Sequence, residues 1–313
     1  MTNRVTRLAP SPTGTLHLGN ARTFLVNWAL ARASNWRIVM RIEDLDRQRV
    51  RSGAAESLLN TLTWLEIDFD DGPCWQSADC DPYRHAMRNL TDSRVIYQCS
   101  LTRSEIQHAA SAPHADEGEL RFPPHLRPAD PDRYQLTRED ANYRFIVPQC
   151  AVTIDDQCAG RHVFKPCEEV GDFIVWTKLG VPAYQLAVVV DDARQGVTDV
   201  VRGDDLLASA ARQSLIYRAL RLSEPRWCHL PLVLGPDGRR LAKRHGDTHV
   251  ETYRAAGVRP QRVIGLLAKW CNACDECVEM SAGDFLRAFR IDRLSKSPVT
   301  FTQEDHQWLL QGT

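Results

Sequence analysis

The chain has 313 residues, 43% hydrophobic and 25% charged, and its 39 basic and 40 acidic side chains leave a net charge of −1. That length buries a sizeable core without disulfides, and the balanced charge means that any nucleic-acid contact must rest on local basic patches. The polar N-terminus carries no signal-peptide core and no apolar run approaches the roughly 20 residues of a membrane span. Ten cysteines in no regular framework read as thiols in a reducing compartment, so a soluble, cytoplasmic protein is expected.

Val5 to Leu8 alternates like a short strand and is broken by Pro10, Pro12 and Gly14. From Leu18 the apolar residues Leu18, Ala21, Leu25, Trp28 and Ala29 share a helical face. Thr15 is the expected N-cap, with His17 and Asn20 in the first turn. Unpaired N–H groups and the positive end of the helix dipole suit a phosphate there. His17 and Asn20 can both hydrogen-bond a triphosphate, although any βαβ unit with a polar helix start looks similar. A second strand, Arg37 to Ile42, delivers Glu43-Asp44-Leu45-Asp46 to the sheet edge where α/β folds bind ligands.

The string RLAPSPTGTLHLGNAR resembles the opening signature of class I aminoacyl-tRNA synthetases, in particular the glutamyl branch. His17-Leu18-Gly19-Asn20 stands at the His-Ile-Gly-His element that grips ATP in that family, with Asn in the fourth place. Arg240-Leu241-Ala242-Lys243-Arg244 stands at the second ATP element, Lys-Met-Ser-Lys-Ser, with Lys243 at the second lysine and Ala242 in place of Ser. The resemblance implies a Rossmann-like α/β catalytic domain. It further implies His17, Asn20 and Lys243 on ATP as catalytic groups, with Mg²⁺ accompanying the nucleotide. Arg7, Ala9, Ser11, Glu43, Tyr184 and Arg202 match the positions that hold the amino acid.

Farther along, Ser52 to Ile67 reads as a helix with Leu58, Leu59, Leu62 and Leu65 inward, Asp71-Gly72-Pro73 as a turn, and Pro82 to Ser93 as another helix. Tyr97 to Arg138 is weak in periodicity and reads as an insertion. Its start resembles the family's Cys-x-Cys-Thr-Arg zinc element, but Leu101 replaces the second cysteine and no further cysteine occurs until Cys150. Cys99 with scattered His108, His114 and His125 is a poor set for tetrahedral zinc, and no metal is expected.

Tyr143 to Val147 and Val152 to Ile154 are strand-like. Tyr184 to Val190 is nearly all apolar and is expected to be a strand buried on both faces, ending in Asp191-Asp192. Val197 to Val201 delivers Arg202. Arg7 and Arg202, set at strand ends, with Glu43 nearby would match a ligand bearing a spare carboxylate and an ammonium group; alternatively Arg202 pairs with Asp204 or Asp205. Leu206 to Leu222 reads as a helix carrying Arg212, Arg218 and Arg221, a solvated face or a phosphate contact, and Arg239 and Arg244 join Arg212 and Arg218 as candidate tRNA contacts. Arg259 to Leu310 reads as helices, with Cys271, Cys274 and Cys277 as inward structural thiols.

The expected organisation is a first half of the nucleotide-binding fold (1–96), an insertion (97–140), a second half (141–250) and a helical C-terminal part (251–313), without an anticodon-reading domain. The resemblance is to the short members of the glutamyl branch. It implies activation of L-glutamate with ATP by a monomer and transfer to queuosine in the anticodon of tRNA(Asp). A truncated enzyme charging a tRNA 3′ end and a catalytically weak tRNA-binding paralogue are the alternatives.

Overall fold

The computed structural model describes residues 4–102, 104–106, 121–129, 134–239, 241 and 248–311. Three parallel strands, β1 (Val5–Leu8), β2 (Arg37–Ile42) and β3 (Asp71–Trp75), pair in the order β1-β2-β3. A second sheet runs β7 (Gly160–Phe164), β6 (Val152–Asp156), β10 (Arg226–Leu230), β9 (Asp199–Gly203), with β6, β10 and β9 parallel. The two sheets abut where the Thr198 N–H donates to the Val5 carbonyl at 2.9 Å. Strand order therefore reverses between β1 and β9, the crevice where a doubly wound sheet offers its ligand site.

Alternation along the strands explains why helices cover both faces. Leu8, Ile38, Met40 and Ile42 enter one core and Val5 and Val39 the other. The first core receives α1 (Leu18–Ala33) and α2 (Ala54–Trp64), the second α3 (Asp81–Asp92). On α2 the inward residues are Leu58 and Leu62, with Leu65 just beyond its end and Leu59 partly buried.

Two expectations are corrected. Asp71–Trp75 is an exposed edge strand rather than a turn, paired with β2 through Val39–Asp71, Arg41–Cys74 and Ile42–Trp75 with a register shift. Glycine and proline are tolerated on such an edge, where one side of the ladder faces solvent. The Tyr184–Val190 run is not a strand but most of a helix, α5 (Tyr184–Arg194), following the single turn α4 (Pro166–Glu169). Gln185 through Asp192 are all buried, and a helix enclosed on every side shows no amphipathic period. Its end carried a readable sign: Gly196, at φ 69°, follows the last turn, and the Val197 N–H returns to the Asp192 carbonyl.

A three-stranded antiparallel sheet joins β4 (Ile96–Gln98), β5 (Tyr143–Phe145) and β8 (Phe173–Trp176). The segment around Arg127 is tied to it by Asp172, 1% exposed, which accepts from Arg127 Nε at 2.7 Å and Tyr97 Oη at 2.9 Å. Of the expected insertion, residues 103, 107–120 and 130–133 lie outside the described residues, His108 and His114 among them.

Helix α6 (Leu207–Ala219) packs on α5, and α7 (Val250–Ala255), α8 (Pro260–Trp270), α9 (Ala282–Ala288) and α10 (Gln303–Leu310) form the C-terminal part. A short strand, β11 (Val233–Leu234), pairs with β12 (Val299–Thr300) and ties that part to the sheet. The three C-terminal cysteines do not lie on one helix. Cys271 closes α8 and is fully buried, while Cys274 and Cys277 follow in the turn beyond it, half-buried; all are free thiols.

Candidate active site

A cavity of about 930 Å³ opens at the strand-order reversal. Arg7, Ala9, Ser11, His17, Asn20, Glu43, Tyr184 and Arg202 all line it. Lys243, Ala242 and Arg244 lie outside the described residues.

The helix start differs from expectation in its cap. His17, not Thr15, is the N-cap of α1, its Nδ1 accepting from the Asn20 N–H at 3.3 Å. In the neutral ring the proton is then on Nε2, so the imidazole offers a donor rather than an acceptor there. Gly19 lets the ring sit close: a Cβ at that position would meet His17 Nδ1 at 3.2 Å and Val233 Cβ at 3.4 Å.

Arg7 and Arg202 are each 5% exposed. Arg7 Nε faces Asp192 Oδ1 at 3.3 Å, and its Nη1 reaches the Val201 carbonyl at 3.4 Å, linking β1 to β9. The same Asp192 oxygen accepts from Arg41 Nη1 at 2.7 Å, and Arg41 Nη2 reaches Glu43 Oε1 at 3.3 Å. Two arginines and two carboxylates thus alternate beneath the cavity, which offsets the cost of burying each one. Burial pushes the Glu43 carboxyl above the usual range, and Arg41 and Arg7 only partly offset this.

Arg202 pairs with neither Asp204 nor Asp205. Its Nε donates to His229 Nε2 at 2.9 Å, its Nη2 to the Leu206 carbonyl at 3.2 Å, and its Nη1 has no hydrogen-bond partner among the described residues. Tyr184 opens α5 and is 39% exposed at the cavity wall. Asp191 and Asp192 are not at a strand edge but in the last turn of α5. There Asp191 accepts from Tyr83 Oη at 2.9 Å and Gln76 Nε2 at 2.7 Å.

A second cavity of about 820 Å³ meets the first at Ala183 and Tyr184, and Arg138, Arg144, Lys178 and Arg212 line it. Arg212 donates to Ser209 at 3.2 Å, whereas Arg218 pairs with Glu224 at 3.0 Å on the surface, away from both cavities. Arg239 is exposed. Among the described residues, no group of three or more His, Cys, Asp or Glu side chains can hold a metal ion.

Sequence reading missed Arg41, Asp156, Asp192 and His229 as parts of the site. Arg41 left a signal, a charge set inside the otherwise apolar end of Arg37–Ile42. His229 and Asp156 left none, since their partners are distant in sequence.

A reversed sheet with a cavity at its switch point, a polar helix start and buried arginines describes a nucleotide-dependent enzyme of the class I synthetase type. The model for tRNA synthetases class I (E and Q), catalytic domain, matches residues 4–308, and the chain belongs to that family. A protein of Symbiobacterium thermophilum named Glutamyl-Q tRNA(Asp) synthetase is 41% identical over 321 residues, 98% of each chain. One of that name from Rhodopirellula baltica is 42% identical over 88% of this chain and 87% of its own. The glutamate–tRNA ligase of Azorhizobium caulinodans is 38% identical over 96% of this chain but only 64% of its own. The crystal structure of a glutamate-tRNA synthetase from Elizabethkingia anophelis shares the fold, with a TM-score of 0.83 at 23% identity over 98% of this chain and 70% of that one. Class I synthetases use ATP, and the chain is a member of that ligase family. No helix among the described residues is long and apolar enough to cross a membrane.

Proposed function

We propose that the protein activates L-glutamate with Mg·ATP and transfers the glutamyl group to a hydroxyl of queuosine in the anticodon of tRNA(Asp). The observation that carries this is the gathering of Arg7, Glu43, Tyr184 and Arg202 with His17 and Asn20 around one cavity. Two guanidiniums and one carboxylate complement the two carboxylates and one ammonium of glutamate. The 41% and 42% identity to two relatives named Glutamyl-Q tRNA(Asp) synthetase supports the anticodon base as acceptor.

In the first step an oxygen of the α-carboxylate attacks the α-phosphorus of ATP, and pyrophosphate leaves; a Mg²⁺ ion bound with the nucleotide would supply charge neutralisation on the phosphates. His17 Nε2–H, the Asn20 side-chain amide and the Gly19 N–H stabilise charge on the phosphates, with Lys243 as a further phosphate-binding group. Arg7, Ser11, Glu43, Tyr184 and Arg202, with the Ala9 backbone, hold glutamate so that one carboxylate meets phosphorus. In the second step the queuosine hydroxyl attacks the carbonyl carbon, AMP leaves, and an ester forms. The second cavity, meeting the first at Tyr184 and lined by Arg138, Arg144, Lys178 and Arg212, has the charge and position to receive the tRNA loop.

Charging of a tRNA 3′ end is the second reading, favoured by the 38% identity to a glutamate–tRNA ligase. Transfer of radiolabelled glutamate to tRNA from queuosine-replete and queuosine-deficient cells separates the two. Label on replete tRNA alone, surviving periodate oxidation of the 3′ end, is expected. Equal label on both pools, blocked by periodate, makes the protein a 3′-end charging enzyme.

A further inference from the structure

We propose that Asp156 and His229 are positioning residues that lock the Arg202 guanidinium in its glutamate-binding orientation before the ligand arrives. The proposal rests on the reading that Arg202 binds glutamate.

Three strands carry the chain of contacts. Asp156 ends β6, His229 lies in β10 and Arg202 in β9. Arg202 Nε donates to His229 Nε2 at 2.9 Å, and His229 Nδ1 stands 2.5 Å from Asp156 Oδ2. An arginine nitrogen only donates, so His229 Nε2 accepts and Nδ1 carries the proton given to Asp156. Burial, reinforced by the neighbouring Arg202 and Arg7 charges, pushes the His229 pKa down despite Asp156, in keeping with the neutral ring this geometry requires.

The carboxylate is itself anchored. Asp156 Oδ1 accepts from the Cys158 and Ala159 N–H groups at 2.9 and 2.8 Å, and from the His229 N–H at 3.0 Å. The imidazole stacks on Trp227, centroids 6.1 Å apart, and the Arg202 guanidinium also stands over Trp227 at 5.1 Å. Asp156 is 6% and His229 0% exposed, so neither can meet glutamate itself; they act through Arg202. An arginine held this way has lost its rotamer freedom already, which lowers the entropy cost of binding. The arrangement occupies Nε and Nη2 with protein partners and leaves Nη1 without one among the described residues.

The test is glutamate-dependent ATP–pyrophosphate exchange on the full chain, comparing wild type, His229→Phe and His229→Gln. His229→Phe keeps an aromatic ring against Trp227 but loses both hydrogen bonds. It is expected to raise the glutamate KM about tenfold or more with the ATP KM little changed. His229→Gln, whose amide can accept from Arg202 and donate to Asp156, is expected to recover most of the glutamate KM. The proposal is overturned if wild type exchanges normally and His229→Phe leaves the glutamate KM unaltered, or if both KM values rise together in both variants. Absence of exchange in wild type overturns the glutamate reading itself, and the positioning role falls with it.

Discussion

Arg41 and Asp192 meet at 2.7 Å with the arginine 1% and the aspartate 0% exposed. Asp192 comes from the last turn of α5 and Arg41 from the middle of the sheet, so this pair fixes how the helix sits on β2. It also sets the electrostatics of the cavity, because Arg7 shares the same carboxylate oxygen at 3.3 Å. Asp192→Ala strands two buried guanidiniums, and the loss of one partner of a buried pair costs about 3–5 kcal/mol. Urea unfolding should show that drop, with a matching loss of glutamate affinity.

Glu43 predicts a pH dependence. Burial raises its folded-state pKa above the ordinary carboxylate value, so the charge proposed to hold the glutamate ammonium group is lost at a higher pH than for an exposed glutamate. The glutamate KM should therefore rise as pH falls through that raised pKa, and the rise should vanish in Glu43→Gln. The sign for stability is opposite. A raised carboxyl pKa contributes stability below the unfolded pKa and loses it as pH rises through the folded one. Glu43→Gln should unfold no earlier than wild type at neutral pH while its exchange activity falls roughly tenfold to a hundredfold.

Gly265 sits inside α8, where an added Cβ would lie 1.9 Å from the Val278 carbonyl oxygen. Backbone cannot yield as a side-chain tip can, so Gly265→Ala should cost about 1–3 kcal/mol or more by overpacking. Thermal unfolding should register the loss.

Arg212 and Lys178 line the second cavity, whereas Arg218 is engaged by Glu224 outside it. If tRNA enters there, Arg212→Glu and Lys178→Glu should each weaken tRNA binding and flatten its log–log salt dependence by about one phosphate contact. Arg218→Glu should change both less. Filter binding across a salt series would measure this, and equal effects at all three sites would argue for another path.

Residues near one another in sequence fixed the first strand, the helix beginning at Leu18 though not its cap, which is His17 rather than Thr15, and the placing of Glu43 and Arg202 at strand ends. Local periodicity and breakers suffice there, since each element buries one defined face or closes one short loop. The strand expected from Val152 to Ile154 and the helix expected from Leu206 to Leu222 were legible on the same grounds and are observed as Val152–Asp156 and Leu207–Ala219. Tertiary structure decided the rest. Only packing on every side distinguishes the Tyr184–Arg194 helix from a buried strand, because enclosure erases the period that would mark it. Only pairing with β2 makes Asp71–Trp75 a strand. The partners of the two arginines, Asp192 185 residues from Arg7 and His229 27 from Arg202, come from separate elements, and no local pattern encodes which buried charges will meet once the sheet reverses its order.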